Sequence, residues 1–256
     1  MNKSKLSIFF FFNIIILSFV FGVTCKPIYA VDSSVGNHKL TIINMDNGNF
    51  LYARKRFYIF EAVYKNNKGK NDFDHVGIGF TDGVNWINAT LDVQNNRWFL
   101  ESGFSVAELD NQSGTFHLLD GTLVARFSIK LDWNINDASL IDLYQYCNDT
   151  SGNGDGWQRT QKGYANIESD LTVTGFQIND TRGNTGQTVE VNGTLVYEGG
   201  SVSPPDSEIA EVIIMSSGRK MSSTSVHNGF FQTMFHASNE VGKEIYSIYV
   251  KFKGRC

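Results

Sequence analysis

The stretch Asn148-Asp149-Thr150-Ser151-Gly152-Asn153-Gly154-Asp155-Gly156-Trp157 holds the residues best suited to chemistry. Asp149, Ser151, Asn153 and Asp155 place oxygen-bearing side chains at every second position, and the glycines allow a tight wrap. Calcium takes roughly six to eight oxygen ligands at about 2.3–2.6 Å, and loops of this composition deliver them. Read as a calcium loop that starts at Asp149, the stretch puts Gly154 at the sharp turn. It then puts Thr160 where a bidentate Glu belongs. The same residue types dominate ordinary turns. The stretch is therefore either a calcium site or a solvated hairpin loop.

Trp157 flanks that loop, and Trp86 shares its strand parity with Asn88 and Thr90 rather than with Ile87, Ala89 and Leu91. An indole on a polar face calls for a reason. Trp86 and Trp157 are thus candidates for ligand contact, a sugar being the natural partner for a flat ring. The competing expectation is that each packs beneath a neighbouring loop or domain. Trp133 shares parity with Leu131 and Ile129 and is expected in the core.

The motifs of nucleophilic and zinc catalysis, G-x-S-x-G and H-E-x-x-H, do not occur. The histidines, at 38, 75, 117, 227 and 236, have no ligand spacing. Glu101, Glu108 and Asp110 lie close in sequence, and glycoside hydrolases work with a carboxylate pair. An acidic chain has such clusters on solvated loops, so a secreted glycoside hydrolase is the lesser alternative. Arg54-Lys55-Arg56, with Lys65, Lys68 and Lys70, reads as a solvated hairpin before it reads as an anion site.

These residues must be positioned by strands. Leu123, Ala125, Phe127, Ile129, Leu131 and Trp133 alternate with Thr122, Arg126, Ser128, Lys130 and Asp132, with Val124 the exception. Such alternation marks a half-buried strand. Val76-Gly77-Ile78-Gly79-Phe80 alternates too, and its glycines clear one face for the close approach of another backbone. Asp82-Gly83, Asp120-Gly121, Asn192-Gly193 and Asn228-Gly229 are dipeptides favoured where φ is positive. Asn228-Gly229, between Ser222–Val226 and Phe230–Phe235, reads as a hairpin. Many short strands with Gly-rich turns predict an all-β chain of sandwich or barrel type.

Residues 1–30 read as a secretory signal peptide. Lys3 and Lys5 precede an apolar run from Leu6 to Val23, and Ala30 offers a cleavage position. The alternative is an uncleaved leader, the one route by which the chain would engage a membrane. The chain has 256 residues and a formal net charge of −4. The leader contributes Lys3, Lys5 and Lys26 and no acidic residue, so the body without it stands at −7. That body is too acidic to bind nucleic acid by bulk electrostatics. It is too aromatic and apolar to be disordered. Its place is extracellular or at the cell surface.

Removal of the leader removes Cys25 and leaves Cys147 and Cys256. In an oxidising compartment these could form one bridge. The alternative is a small buried Cys147 and an unpaired Cys256. Asn-x-Ser/Thr sequons stand at Asn88, Asn111, Asn148, Asn179 and Asn192, so the body is a candidate glycoprotein.

The polar run Asn179–Gly186 marks a seam. The expected organisation is a signal peptide at 1–30 and a larger β-sandwich at 31–180, possible in jelly-roll form. A smaller sandwich follows at 181–256. The latter opens Val189-Glu190-Val191-Asn192-Gly193-Thr194-Leu195-Val196-Tyr197-Glu198-Gly199-Gly200, continues through Asn228-Gly229-Phe230-Phe231, and ends Tyr246-Ser247-Ile248-Tyr249-Val250. Over residues 187–253 it resembles the immunoglobulin-like Greek-key domains strung along bacterial and archaeal surface proteins. The resemblance implies a spacer or adhesive role and no reaction. It also implies that further domains or an anchor often accompany such a unit. The expected function is an exported, non-enzymatic surface or secreted protein with a structural or adhesive role. Its expected partners are other surface proteins or glycans. A carbohydrate-binding module that uses exposed Trp is the principal alternative.

Overall fold

The computed structural model describes residues 35–179, 186–198, 201–237 and 245–253. The leader and Cys256 lie outside the described residues. Among the described residues the regular structure is all strand but for one 3-10 turn at Asp206–Glu208. The first strands are Val35–Ile42 (β1), Phe50–Tyr52 (β2), Tyr58–Asn66 (β3), Phe73–Thr81 (β4) and Trp86–Asp92 (β5). Arg97–Ser102 (β6), Ala107–Leu109 (β7), Thr115–Leu119 (β8) and Thr122–Leu131 (β9) follow. Then come Ala138–Asp149 (β10), Gln158–Glu168 (β11), Leu171–Ile178 (β12) and Thr188–Tyr197 (β13). The last are Ile209–Ser216 (β14), Arg219–Thr224 (β15), Phe230–His236 (β16) and Tyr246–Phe252 (β17).

Four sheets result. A five-stranded sheet runs β1-β3-β9-β7, with β8 also paired to β9, and a six-stranded sheet runs β2-β11-β10-β4-β5-β6. Two three-stranded sheets run β12-β13-β16 and β15-β14-β17. All pairings are antiparallel except β2 with β11.

Alternation decides what lies inside. On β9, Leu123, Ala125, Phe127, Ile129 and Leu131 are buried, as the spacing predicts. They face the buried Val76, Ile78 and Phe80 of β4 and Ile87, Ala89 and Leu91 of β5. Rings meet across the two larger sheets, Phe60 stacking on Phe80 at 5.2 Å and Trp98 meeting Phe127 edge-on at 5.0 Å. The buried Tyr64 hydroxyl crosses the same gap and donates to the carbonyl of Gly77 at 2.7 Å. The smaller sheets meet through Val189, Val191, Leu195 and Phe231 on one side and Val212 and Ile214 on the other.

Turn chemistry is mostly as the dipeptides predict. Asp120 and Gly121 both have positive φ, 48° and 71°, and join β8 to β9 as a tight hairpin. Asn228 and Gly229 also form a two-residue turn, closed by reciprocal hydrogen bonds between His227 and Phe230. Its flanking strands do not pair with each other, because β15 belongs to one small sheet and β16 to the other. The dipeptide therefore makes a bridge between sheets and not a hairpin. Asn192-Gly193 is no turn at all. It lies within β13, where a methyl group on Gly193 would sit 2.7 Å from Val173 and 3.1 Å from Phe231.

The polar run at 179–186 joins β12 to β13, which are neighbours in one sheet. The chain passes from the larger pair of sheets to the smaller pair at Ser169-Asp170, between β11 and β12. The sheet pairs are locked together there. Tyr197, 0% exposed, stacks on Tyr52 at 4.5 Å and on Trp133 at 5.9 Å. Its hydroxyl donates to the carbonyl of Ala53 at 2.5 Å. Trp133 in turn meets Phe252 at 4.5 Å. Around this aromatic plug Glu208 binds Arg54 at 2.9 Å and Lys130 at 3.0 Å. Burial works against the Glu208 charge, but Lys130 and Arg54 outweigh it and hold its carboxyl below the usual range. Arg54 has a left-handed backbone, φ 57°, which a non-glycine residue keeps only when its surroundings demand it.

A carboxyl of opposite behaviour sits beside the plug. Burial, a hydrogen bond to Asp137 and the charges of Asp137, Glu198 and Asp170 push Glu168 up to about 8. A carboxyl with a raised folded-state pKa contributes stability below its unfolded value and loses it as pH rises through the folded one. Glu168 therefore weakens the fold progressively from its ordinary 4.5 to about pH 8. Glu168→Gln is expected to melt higher than wild type at pH 8, by roughly 2 °C, with the gap closing at pH 5. Tyr197→Phe leaves the buried carbonyl of Ala53 without its donor and is expected to cost about 1–2 kcal/mol. A chemical denaturation series at pH 7 reads that loss directly.

Candidate functional site

The outer face of the six-stranded sheet collects the aromatic candidates. Alternation points Tyr144 and Tyr146 of β10 outward, in register with Gly79 and Gly77 of β4. Gly79 and Gly77 are paired in turn with Asn88 and Thr90 of β5, and Thr81 with Trp86. Thr90 faces Phe99 of β6. Trp157 arrives from the acidic loop just before β11 and lies over the two glycines.

The rings form one continuous group. Trp86 meets Trp157 at 6.2 Å with planes at 81°, and Tyr144 at 4.8 Å with planes at 66°. Tyr146 meets Trp157 at 5.4 Å with a 33° tilt. All four are half-buried, as is Phe99. The glycines make room for this arrangement. A methyl group on Gly79 would stand 2.7 Å from Asn88 Oδ1, 3.0 Å from Trp157 and 3.2 Å from Trp86. The glycine stripe thus admits two indole rings, where the spacing had suggested another backbone.

Two polar groups lie under the rings without partners. Thr90 is 1% exposed, and its hydroxyl has no hydrogen-bond partner among the described residues. Asn88 Oδ1 is likewise shielded and unpaired. A methyl group on Gly77 would touch both Thr90 Oγ1, at 3.1 Å, and Trp157, at 3.3 Å, which places the hydroxyl beside the indole. Burying such groups unpaired costs about 1–3 kcal/mol each.

The charges at the rim are mostly spent. Arg159, in register with Tyr144, is paired with Asp142 at 3.0 Å. His75 meets Asp74 at 2.9 Å and packs edge-on against Phe99. Burial, then the charges of Glu101, Cys147 and Asp74, raise the Tyr146 hydroxyl above its ordinary pKa. The face is therefore neutral to acidic.

The four calcium candidates serve different tasks. Buried Asp149 turns back on its own loop, its Oδ1 accepting from the amides of Ser151 and Asn153, each at 2.9 Å. Asp155 reaches the other sheet and accepts from the amide of Asn37 at 2.9 Å. Ser151 is exposed, and the Asn153 carbonyl accepts from the Asp149 amide at 2.8 Å. Gly154 rests on the carbonyl of Cys147, where a methyl group would stand at 1.9 Å. Among the described residues no group of three or more His, Cys, Asp and Glu side chains is placed to hold a metal ion.

The remaining candidates are scattered. Glu101 lies on β6 of the six-stranded sheet. Glu108 and Asp110 lie at the five-stranded sheet. Glu108 faces Arg54 at 4.0 Å, and Asp110 caps its own turn through Gln112 and Ser113. Lys55 and Arg56 both pair with Asp46. Of the sequon residues, Asn111 and Asn179 are exposed. Asn148 accepts from the amide of His75 at 2.8 Å, Asn192 sits within β13, and Asn88 lies under the indoles. The outward tyrosines Tyr144 and Tyr146 share one parity of β10, but parity alone does not mark them as part of a site. Arg54 and Tyr197 at the junction carried no local signal.

Fold and site together define an all-β, multi-sheet protein with an aromatic outer face. No protein-family model matches the chain, and no curated protein matches it. Among solved structures it is similar to the Yersinia pseudotuberculosis adhesin InvE, with 12% identity and a TM-score of 0.30. The likeness covers 84% of this chain and 60% of that one, so this chain spans less than two thirds of the adhesin's length.

Cys147, of the two candidate bridge cysteines the one described, is 0% exposed and has no disulfide among the described residues. Burial pushes it up to about 12. Its expected behaviour is inertness: a thiol reagent should leave Cys147 unmodified in the native protein and label it once denaturant is added. Mass spectrometry of the Cys147 peptide reads both states.

Proposed function

We propose that this chain is an exported, non-enzymatic surface protein with a structural or adhesive role. It is built from two β-sandwich units. The unit boundary belongs at Ser169-Asp170, because β12 completes the smaller unit with β13 and β16. The larger unit pairs the five- and six-stranded sheets, and the smaller, immunoglobulin-like unit pairs the two three-stranded sheets. The observation that carries this reading is the junction. A buried Tyr197 held between Tyr52 and Trp133, ringed by Arg54, Lys130 and Glu208, makes the two units one stiff body. Stiffness between units suits a spacer that holds a binding face away from a surface. Linked units that slide past one another have smaller, wetter contacts.

The leader and its route of export are part of this proposal. Protease treatment of intact producing cells is expected to remove the protein while a cytosolic control survives. Beads coated with the purified protein are expected to stick to cell surfaces more than beads coated with albumin. Retention of the protein inside intact cells, with no bead adhesion, would overturn the reading.

A second reading adds carbohydrate recognition, and the contiguous half-exposed rings favour it. Flat rings present a negative π face, and the slightly positive C–H face of a sugar ring complements it.

A further inference from the structure

We infer that the outer face of the six-stranded sheet is a binding site for a neutral pyranose, with the Trp157 ring as a side-chain cover over Asn88 and Thr90. This rests on the carbohydrate reading above and assigns it a site, a ligand class and a mechanism.

Three observations meet at one place. The first is the ring group itself, Trp86, Trp157, Tyr144 and Tyr146, on a face where alternation calls for solvated side chains. The second is the pair of shielded polar atoms beneath it, Thr90 Oγ1 and Asn88 Oδ1, with no partner among the described residues. Buried polar atoms of this kind are ordinarily satisfied by a partner, a water or a ligand, and here two of them lie side by side under the same rings. The third is the attachment of Trp157. It follows Gly156, which has a left-handed backbone, φ 64°, and open space on its side-chain side. Gly152 has both features too. Asp149 and Asp155 fasten the loop, and Asn37 Nδ2 donates to the Gly156 carbonyl at 3.3 Å, so what can move is the Trp157 side chain about its own torsions.

A sugar supplies what the face lacks. Its C–H face stacks on an indole, and its hydroxyls donate to Asn88 Oδ1 and pair with Thr90 Oγ1 once Trp157 swings aside. Displacing one ring edge and satisfying two polar groups is a favourable exchange, because each unpaired group carries a desolvation penalty in the free protein. Charge selects the ligand class. Arg159 is already paired with Asp142, and the carboxylates Glu101 and Asp74 lie near enough to raise Tyr146. An anionic sugar would meet repulsion there, and a neutral one would not.

The test uses the full chain, neutral oligosaccharides of glucose, galactose and mannose, and a matched panel of sialylated and sulfated ones. Binding to a neutral member is expected, with a change in tryptophan fluorescence as Trp157 moves. Trp86→Ala and Trp157→Ala should each weaken it at least tenfold. Thr90→Val separates ligand contact from folding. Removing an unpaired buried hydroxyl should leave the melting temperature unchanged or higher, while binding falls about fivefold, as loss of one hydrogen bond predicts. The proposal is overturned by binding to neither panel or by binding confined to the anionic one. It is also overturned by equal affinity in wild type, Trp86→Ala and Thr90→Val. Bead adhesion that persists without any sugar binding would remove this site and leave the surface role intact.

Discussion

Every strand in this protein has two faces, and only one of them can be buried against its partner sheet. That constraint orders the whole molecule. It puts Val76, Ile78 and Phe80 inward on β4 and leaves positions 77 and 79 outward. Glycine at those outward positions then creates a trough where a flat solvated surface would otherwise be. Rings from β5 and the loop before β11 fill the trough, within 3.0–3.3 Å of where the missing side chains would stand, and the β10 tyrosines pack against them. The aromatic face is thus a consequence of the pleat and of two missing side chains.

The same constraint accounts for the junction. A sheet pair closes its own core but leaves its ends to loops, and the loops at 52–56 and 131–135 close one end of the larger pair. Trp133 continues the inward parity of β9 beyond the last paired residue, so its ring emerges where the core ends. Tyr197 is the last residue of β13, still paired with Leu171, and presents its ring at the end of the smaller pair. Two aromatic side chains, one just past a strand end and one at a strand's last position, cover one another. The ion pairs of Glu208 with Arg54 and Lys130 then surround the contact. Their side chains are 12%, 26% and 17% exposed, so water screens them less than a surface pair.

Much of the fold was legible because period-2 patterns are local. The strand at 122–131 and the Asp120-Gly121 hairpin both rest on neighbours within ten residues. Pairing is not local, and there the sequence misled. Asn228-Gly229 encodes a tight turn faithfully, yet the choice of sheet for each flanking strand depends on β14 and β13. Asn192-Gly193 has turn chemistry, but Val173 and Phe231 close over Gly193 and turn its missing side chain into a packing feature. The polar run at 179–186 has the composition of a linker. Composition cannot distinguish a linker from a hairpin loop whose two strands find each other. The candidate site divides in the same way. Parity placed Trp86 on the polar face correctly, but nothing local indicates that Trp157, seventy-one positions later, comes to lie against it.

The junction and the aromatic face belong to one sheet. β2 carries Tyr52 to the junction and pairs with β11, and β11 begins directly after Trp157. β10, β4 and β5 follow in unbroken hydrogen-bonded order and bear the other rings and the unpaired Asn88 and Thr90. A sheet resists shear along its ladders, so the orientation of the face relative to the smaller unit is carried by backbone hydrogen bonds and not by side-chain packing alone. Trp157 itself stands just outside the ladders, after Gly156, whose carbonyl accepts from Asn37 Nδ2 at 3.3 Å. On the proposed binding role, the ladders hold the platform and the Trp157 side chain is the part left to admit a ligand beneath it.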